Sequence, residues 1–263
     1  MEADTSTTSA QASDIDAAFA RAMMYSALAL GFRPPTEETI DRLCSKDGTA
    51  ALAAAAALLD LDRDSGSAGI CSLFTDHCSL LTLTEAHHRL FGHTARSGVP
   101  PYETEYGTEA LFQQPQELGD LHGFYNAFGL ALNQAEHERA DHVSCECEFL
   151  AFLALKEAYA LEHGDSAMRE ETQKAERLFL RDHIGRFFPA FANKLTCEDG
   201  GGFYQALGEW GRALVASECA RRNVPLGPGS LGLRPATDDR VPMACGSDSC
   251  PAMPGAVEPD EME

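Results

Sequence analysis

Basic residues are scarce in this chain: 20 Lys and Arg stand against 41 Asp and Glu across 263 residues, giving a formal net charge of −21. That balance excludes the usual nucleic-acid footprint, because a polyanionic backbone would be repelled rather than trade its counterions for protein cations. Two readings of the acidity stand, plain solubility and attraction of a basic peptide. Strand-type alternation of apolar and polar residues is missing throughout, which excludes a sheet-based core. Long apolar runs are missing too. The longest bland one, residues 50–59, reaches only about half a bilayer span, so no integral membrane segment is expected. Met1, Glu2, Ala3, Asp4 and Thr5 carry neither the basic cluster nor the apolar stretch of a secretory signal. Cytoplasmic residence is the expectation, and with it reduced thiols, Cys44, Cys71, Cys78, Cys197 and Cys219 serving as small core or surface residues.

What is present is helical spacing. Hydrophobic residues make up 44% of the sequence, enough at this length for a substantial single core. Residues 1–13 are small and polar without periodicity and are expected as a disordered lead-in. A first helix should start near Asp14, with Ile15, Ala18, Phe19, Ala22, Tyr25 and Ala29 on its inner side, and stop at Gly31, Pro34 and Pro35. Thr36 begins another helix, and an Ala-rich helix follows over 48–62, then a loop over 64–69 and one or two helices within 72–91. Segment 92–107 is long and contains Pro, Gly and aromatics, the composition of a functional loop rather than a disordered one. Further helices are expected over 115–132, from His142 onward as the most apolar and central element, and over 166–195, where Pro189 should kink or divide it. The glycines at 200–202 make a break before a last helix over 203–223. Residues 225–263, rich in Pro, Gly and acidic side chains, read as a flexible tail. The fold class is therefore all-α, one many-helix bundle over 14–224.

The pair Asp141 and His142 at the mouth of the central helix carries the most chemical information. Asp141 suits the N-cap, and His142 then falls at the first helical position, where the positive end of the helix dipole disfavours protonation. Neighbours on a helix diverge by about 100 degrees, so the pair is no acid–base dyad, and no nucleophile motif accompanies it. Either Asp141 only caps the helix, or the pair forms the polar end of a peptide groove in which Asp141 accepts from an arginine guanidinium. Metal readings are weak. Glu85 and His88 have the spacing of a di-iron ligand pair, but no second Glu-x-x-His exists. Cys145 and Cys147 point to nearly opposite helix faces, and Cys245 with Cys250 supplies only two ligands. The glycines at 200–202 precede Phe203 rather than Lys and Ser or Thr, so they fail as a phosphate loop.

A family resemblance rests on the same residues. Leu90, Phe91 and Gly92, the run from Pro100 through Tyr102, Glu103, Glu105 and Tyr106 to Gly107, and Glu138-x-x-Asp141-His142 followed by Glu148, Phe149, Leu150 and Ala151 resemble the signature of the TorD/DmsD/NarJ-type redox enzyme maturation chaperones. Met24 to Ala29 with Arg33, Pro34 and Pro35, and Phe179 to Phe191, extend the likeness to about residues 18–222. Many relatives have Pro after the motif's Glu where this chain has Arg139, a departure that bears on loop geometry rather than fold. The resemblance implies the globular many-helix chaperone fold, no catalysis and no cofactor of its own. It implies as partner the catalytic subunit of a molybdenum-containing oxidoreductase, bound through its twin-arginine leader. Leu90, Phe91, Pro101 and Tyr102 match positions lining the leader-binding region, with Glu103, Glu105, Glu138, Glu146, Asp141 and His142 as polar contributors. For Tyr102 and Tyr106, core packing and peptide contact both stand as readings.

Overall fold

Helix α1, Glu2–Phe32, is built from small and apolar residues that let a second helix approach closely, and Ala18, Met24, Tyr25, Leu28 and Phe32 are all fully buried. Its partner is α6, Val143–His163. The two run antiparallel: Gln11 Nε2 donates to the Leu161 carbonyl at 2.9 Å, Arg21 meets Glu157 at 2.6 Å, and Arg33 pairs with Glu148. The computed structural model describes residues 2–61, 79–92, 98–107, 113–133 and 138–234. Between α1 and α6 in sequence come α2, Glu37–Thr39, continuing into a π turn over Ile40–Cys44, then α3, Lys46–Leu58, α4, Leu80–Phe91, and α5, Gln113–Ala127. After α6 come α7, Ser166–Asp182, α8, Ile184–Asp199, and α9, Phe203–Arg221. No strand occurs among the described residues, so the all-α class holds. A main hydrophobic core that includes Phe149, Phe179, Phe187, Phe188 and Phe191 joins most of them, and a small second cluster of Ala18, Ala158 and Leu161 lies between α1 and α6.

Several expectations change in the structure. α1 begins at Glu2 rather than near Asp14, since a helix anchored by packing extends outward at little cost per residue. Phe19, expected inside, is 43% exposed. From Gln11 to Phe32, α1 has the length and apolarity of a membrane span, but it is 61% buried within the protein and carries the buried Arg21. α5 ends at Ala127, not near Leu132. The 166–195 helix does divide, but at His183 and not at Pro189. There the chain must pass Gly185 so close to the Leu180 carbonyl that a Cβ would lie 2.1 Å from its oxygen. Pro189 sits inside α8. Lacking an N–H, it leaves the Gly185 carbonyl without its helical donor, and the Gly227 N–H fills that vacancy at 2.9 Å.

The chain beyond Pro225 is not wholly a tail, because residues 224–234 form an extended strap across α8. The rest of that expectation, residues 235–263 with Cys245 and Cys250, lies outside the described residues, as do the 64–69 loop, Cys71 and Cys78. Cys44 is disulfide-bonded, contrary to the expectation of a thiol there; spacing in sequence does not reveal which cysteines folding brings within bonding distance. Cys145, Cys147, Cys197 and Cys219 are free.

Candidate functional site

The 98–107 segment lies across the mouth of α6 and is pinned there by main-chain bonds. Val143 N–H donates to the Pro101 carbonyl at 2.8 Å and Glu103 N–H to the Asp141 carbonyl at 2.9 Å, making an isolated antiparallel bridge between Tyr102 and His142. Val99 N–H donates to the Leu90 carbonyl at 3.1 Å, tying the segment to the end of α4. The result is a cleft of about 420 Å³ between α4, the segment and the α6 mouth, lined by His87, Phe91, Pro101, Tyr102, Glu138 and His142, with Arg139 at its edge.

His142, not Asp141, is the N-cap of α6. Its Nδ1 accepts from the Ser144 N–H at 3.2 Å and lies 2.6 Å from Ser144 Oγ. That acceptor role places the ring proton on Nε2, which faces the Glu138 carboxylate at 3.8 Å. Burial, reinforced by His87, Arg33 and Arg139, lowers its pKa to about 3, so the ring is a neutral donor and not half of an ion pair. The direction is the one expected, but the cause is burial with the nearby positive groups rather than a place in the first helical turn. The Tyr102 ring packs edge-on against His142 at 5.3 Å, and the Arg139 guanidinium stands 4.5 Å above its centre.

The remaining expected acidic contributors are not equally available. Asp141 is fully buried, and its carboxylate accepts from Thr104 Oγ1 at 2.7 Å and from Arg139 Nε and Nη2 at 3.0 and 2.8 Å. The guanidinium expected from a partner is supplied by the chain itself. Glu103 is likewise fully buried, accepting from Arg186 Nη2 at 2.6 Å and His183 Nδ1 at 3.0 Å. Glu146 is buried with no hydrogen-bond partner on either oxygen among the described residues, and burial, together with the charges of Glu103 and Asp141, holds its pKa well above the ordinary carboxylate value. Glu105 is partly exposed and 3.6 Å from Arg139. Tyr106 is core: its hydroxyl donates to the Pro100 carbonyl at 2.9 Å and its ring packs on Phe187. Leu90 lies beneath the cleft at 1% exposure. Phe91, Pro101, Tyr102, Glu138 and His142 thus come together around the cleft, while Glu103, Tyr106 and Asp141 form the layer that supports it.

A larger groove of about 930 Å³ was not anticipated. Phe19, Met23, Leu30, Leu43, Leu52 and Leu155 line it. The signal available in sequence was Phe19 and Met23 one helical turn apart, which helical spacing alone assigns to the core. Among the described residues no group of three or more His, Cys, Asp or Glu side chains is placed to hold a metal ion. Burial pushes Cys145 up to about 12 and Cys219 up to about 11, making both poor nucleophiles and ligands.

The profile of a family described as nitrate reductase delta subunit matches residues 47–193. Among individual proteins, the chain is 30% identical over 117 residues to a chaperone protein TorD of Photobacterium profundum, covering 44% of this chain and 53% of the relative. It is 44% identical over 82 residues to a chlorate reductase assembly chaperone protein of Ideonella dechloratans, covering 31% and 42%. A perchlorate reductase assembly chaperone protein of Dechloromonas aromatica matches at 28% over 200 residues, 73% and 85% of the two chains. The chain spans about half the length of the first two relatives. With an all-helical fold and a family profile covering more than half of its length, the chain belongs to the nitrate reductase delta subunit family of redox enzyme maturation chaperones.

Proposed function

We propose that this protein is a cytoplasmic maturation chaperone that binds the twin-arginine leader or N-terminal region of a molybdenum-containing oxidoreductase and holds the apoenzyme until its cofactor is inserted. The observation that carries this reading is the 420 Å³ cleft, where the apolar surfaces of Phe91, Pro101 and Tyr102 stand beside the Glu138 carboxylate. A leader combines arginines with an apolar stretch, and such a cleft offers a surface to each. The net charge of −21 steers a basic segment toward the protein from a distance. Asp141 contributes indirectly, holding Arg139 and Thr104 so that the cleft wall keeps its shape. The work is binding, and release follows when folding of the client withdraws the segment.

Titration of a twin-arginine leader peptide and its Lys-Lys counterpart against wild type, Tyr102→Ala and Glu138→Gln is the test. Asp141→Ala is the poorer variant, because it takes the carboxylate partner from the buried Thr104 and frees Arg139 from the cleft wall. The expected outcome is a loss of about tenfold in affinity for each cleft variant, on the order of 1.4 kcal/mol, with preference for Arg over Lys. Equal affinity in all three proteins would sink the cleft.

A further inference from the structure

The extended strap at the end of the described chain shows what a neighbouring surface takes. It leaves α9 with Val224 N–H on the Cys219 carbonyl, docks Gly227 N–H on the carbonyl exposed by Pro189, and accepts at Gly229 from Asn193 Nδ2 at 2.8 Å. It then pairs with the outer edge of the site segment. Gly107 N–H donates to the Gly232 carbonyl and Arg234 N–H to the Glu105 carbonyl, each at 2.9 Å, with a bridge between Tyr106 and Leu233. Beyond that, one side chain dominates the contact: Arg234 Nη2 reaches both oxygens of Glu117 at 3.0 Å, and Arg186 reaches the same carboxylate at 3.3 Å.

Main-chain bonds are indifferent to sequence, so most of this attachment could be made by any extended peptide carrying an arginine and an apolar residue three positions before it. Leu226 and Leu233 are 43% and 40% exposed and hold the strap weakly, while Leu231 packs against the margin of the hydrophobic core, so an incoming segment must bring an apolar residue for that place. Arg234 is also imperfectly seated, with Nε and Nη1 buried and unpartnered among the described residues, a cost that release into water would remove. Glu105 to Gly107 directly continue the segment that presents Tyr102 to the cleft. A peptide lying in the cleft therefore reaches this edge within a few extended residues.

We propose that residues 231–234 are a replaceable occupant of a second peptide surface, formed by the Glu105–Gly107 edge and Glu117, which takes an extended arginine-bearing segment of the client in their place. The identity of the client segment rests on the function proposed above; the existence of the surface does not. While the strap is seated, only the fraction of molecules with it displaced can bind there, and the apparent affinity falls by that fraction.

The test uses the full chain and, as probe, an amidated peptide Gly-Ser-Leu-Gly-Leu-Arg, the sequence of residues 229–234. Two variants free the surface by different means. Arg234→Ala removes the guanidinium, and Gly227→Ala forces the strap to lift, since a Cβ there would stand 2.0 Å from the Arg186 carbonyl oxygen. Both should bind the probe about fivefold or more tighter than wild type. Replacing the probe's Arg by Lys, or adding Glu117→Gln to Arg234→Ala, should abolish the gain. A twin-arginine leader peptide should compete with the probe. Equal or absent binding of the probe in wild type and both variants overturns the proposal, as does a gain that survives Glu117→Gln. If the probe behaves as expected and the leader neither competes nor binds wild type, the surface stands and the leader reading fails.

Discussion

The placement of Arg139 decides what Asp141 can do. Its guanidinium bonds both oxygens of Asp141, covers the Tyr102 ring and approaches Glu105, so one residue knits the loop, the helix mouth and the cleft wall together. Near that pair is Glu146, whose pKa is raised by burial and by the charges of Glu103 and Asp141, with Arg186 offsetting only part of that rise. Its raised pKa means that the folded state retains a proton that the unfolded state has released at pH above about 4.5. The resulting penalty grows with pH and vanishes in acid. Glu146→Gln, which keeps the shape and removes the titration, is expected to raise stability at pH 7 to 8 by about 1 kcal/mol, roughly 2–4 °C in melting temperature, with little change at pH 4. Thermal unfolding across that range checks it, and a uniform loss of stability would show that the carboxyl has a partner it needs.

At the scale of helices, the bundle is fastened by a buried network of three cations and three carboxylates. Arg21 of α1 meets Glu157 of α6 at 2.6 Å and Glu218 of α9 at 3.6 Å; Arg221 and Arg222 at the end of α9 close on Glu176 of α7 and Glu157. Burial pushes the Glu157 carboxyl up, but Arg21, Arg222, the Gln173 amide and Arg221 outweigh it and bring its pKa down to about 2. Such pairs stabilise little against an apolar alternative, but breaking one is costly because a charge is left buried. Glu157→Ala is expected to destabilise by about 3–5 kcal/mol, read by chemical denaturation. A loss below about 1 kcal/mol would mean that water replaces the carboxylate. Much at this scale was legible beforehand: the central position of α6, the glycine break before α9 and the helical stop before Pro34 all follow from local pattern. The break at His183 was not, because Pro189 is the stronger local signal and only the close passage of Gly185 to Leu180 shows where the chain must turn.

For the molecule as a whole, pH dependence joins these sites. His142 has a folded pKa of about 3 against an ordinary 6.5, so between those values the unfolded state binds a proton that the folded state refuses. Its contribution to stability is complete above about pH 6.5 and is lost as pH falls. Glu157 adds a second loss between about pH 4.5 and 2, of the same sign. Wild type should therefore lose stability between pH 7 and pH 5 relative to His142→Asn, which retains a capping side chain without the titration. Parallel melting curves at both pH values would contradict the assigned burial of the imidazole.

Composition and periodicity by themselves determined the all-helical class and most helix positions, because helix formation depends on neighbours a few residues apart. The pairing of the 100–107 loop with the helix mouth joins residues about 40 apart and was implied only by the family resemblance. Only the tertiary structure decided which carboxylates line the cleft. Asp141, Glu103 and Glu138 are alike as sequence symbols, but the first two are fully buried against Arg139 and Arg186, while Glu138 lines the cleft. The strap was hidden for the same reason: a Gly- and Pro-rich run looks free until a distant proline leaves a carbonyl for it to bind.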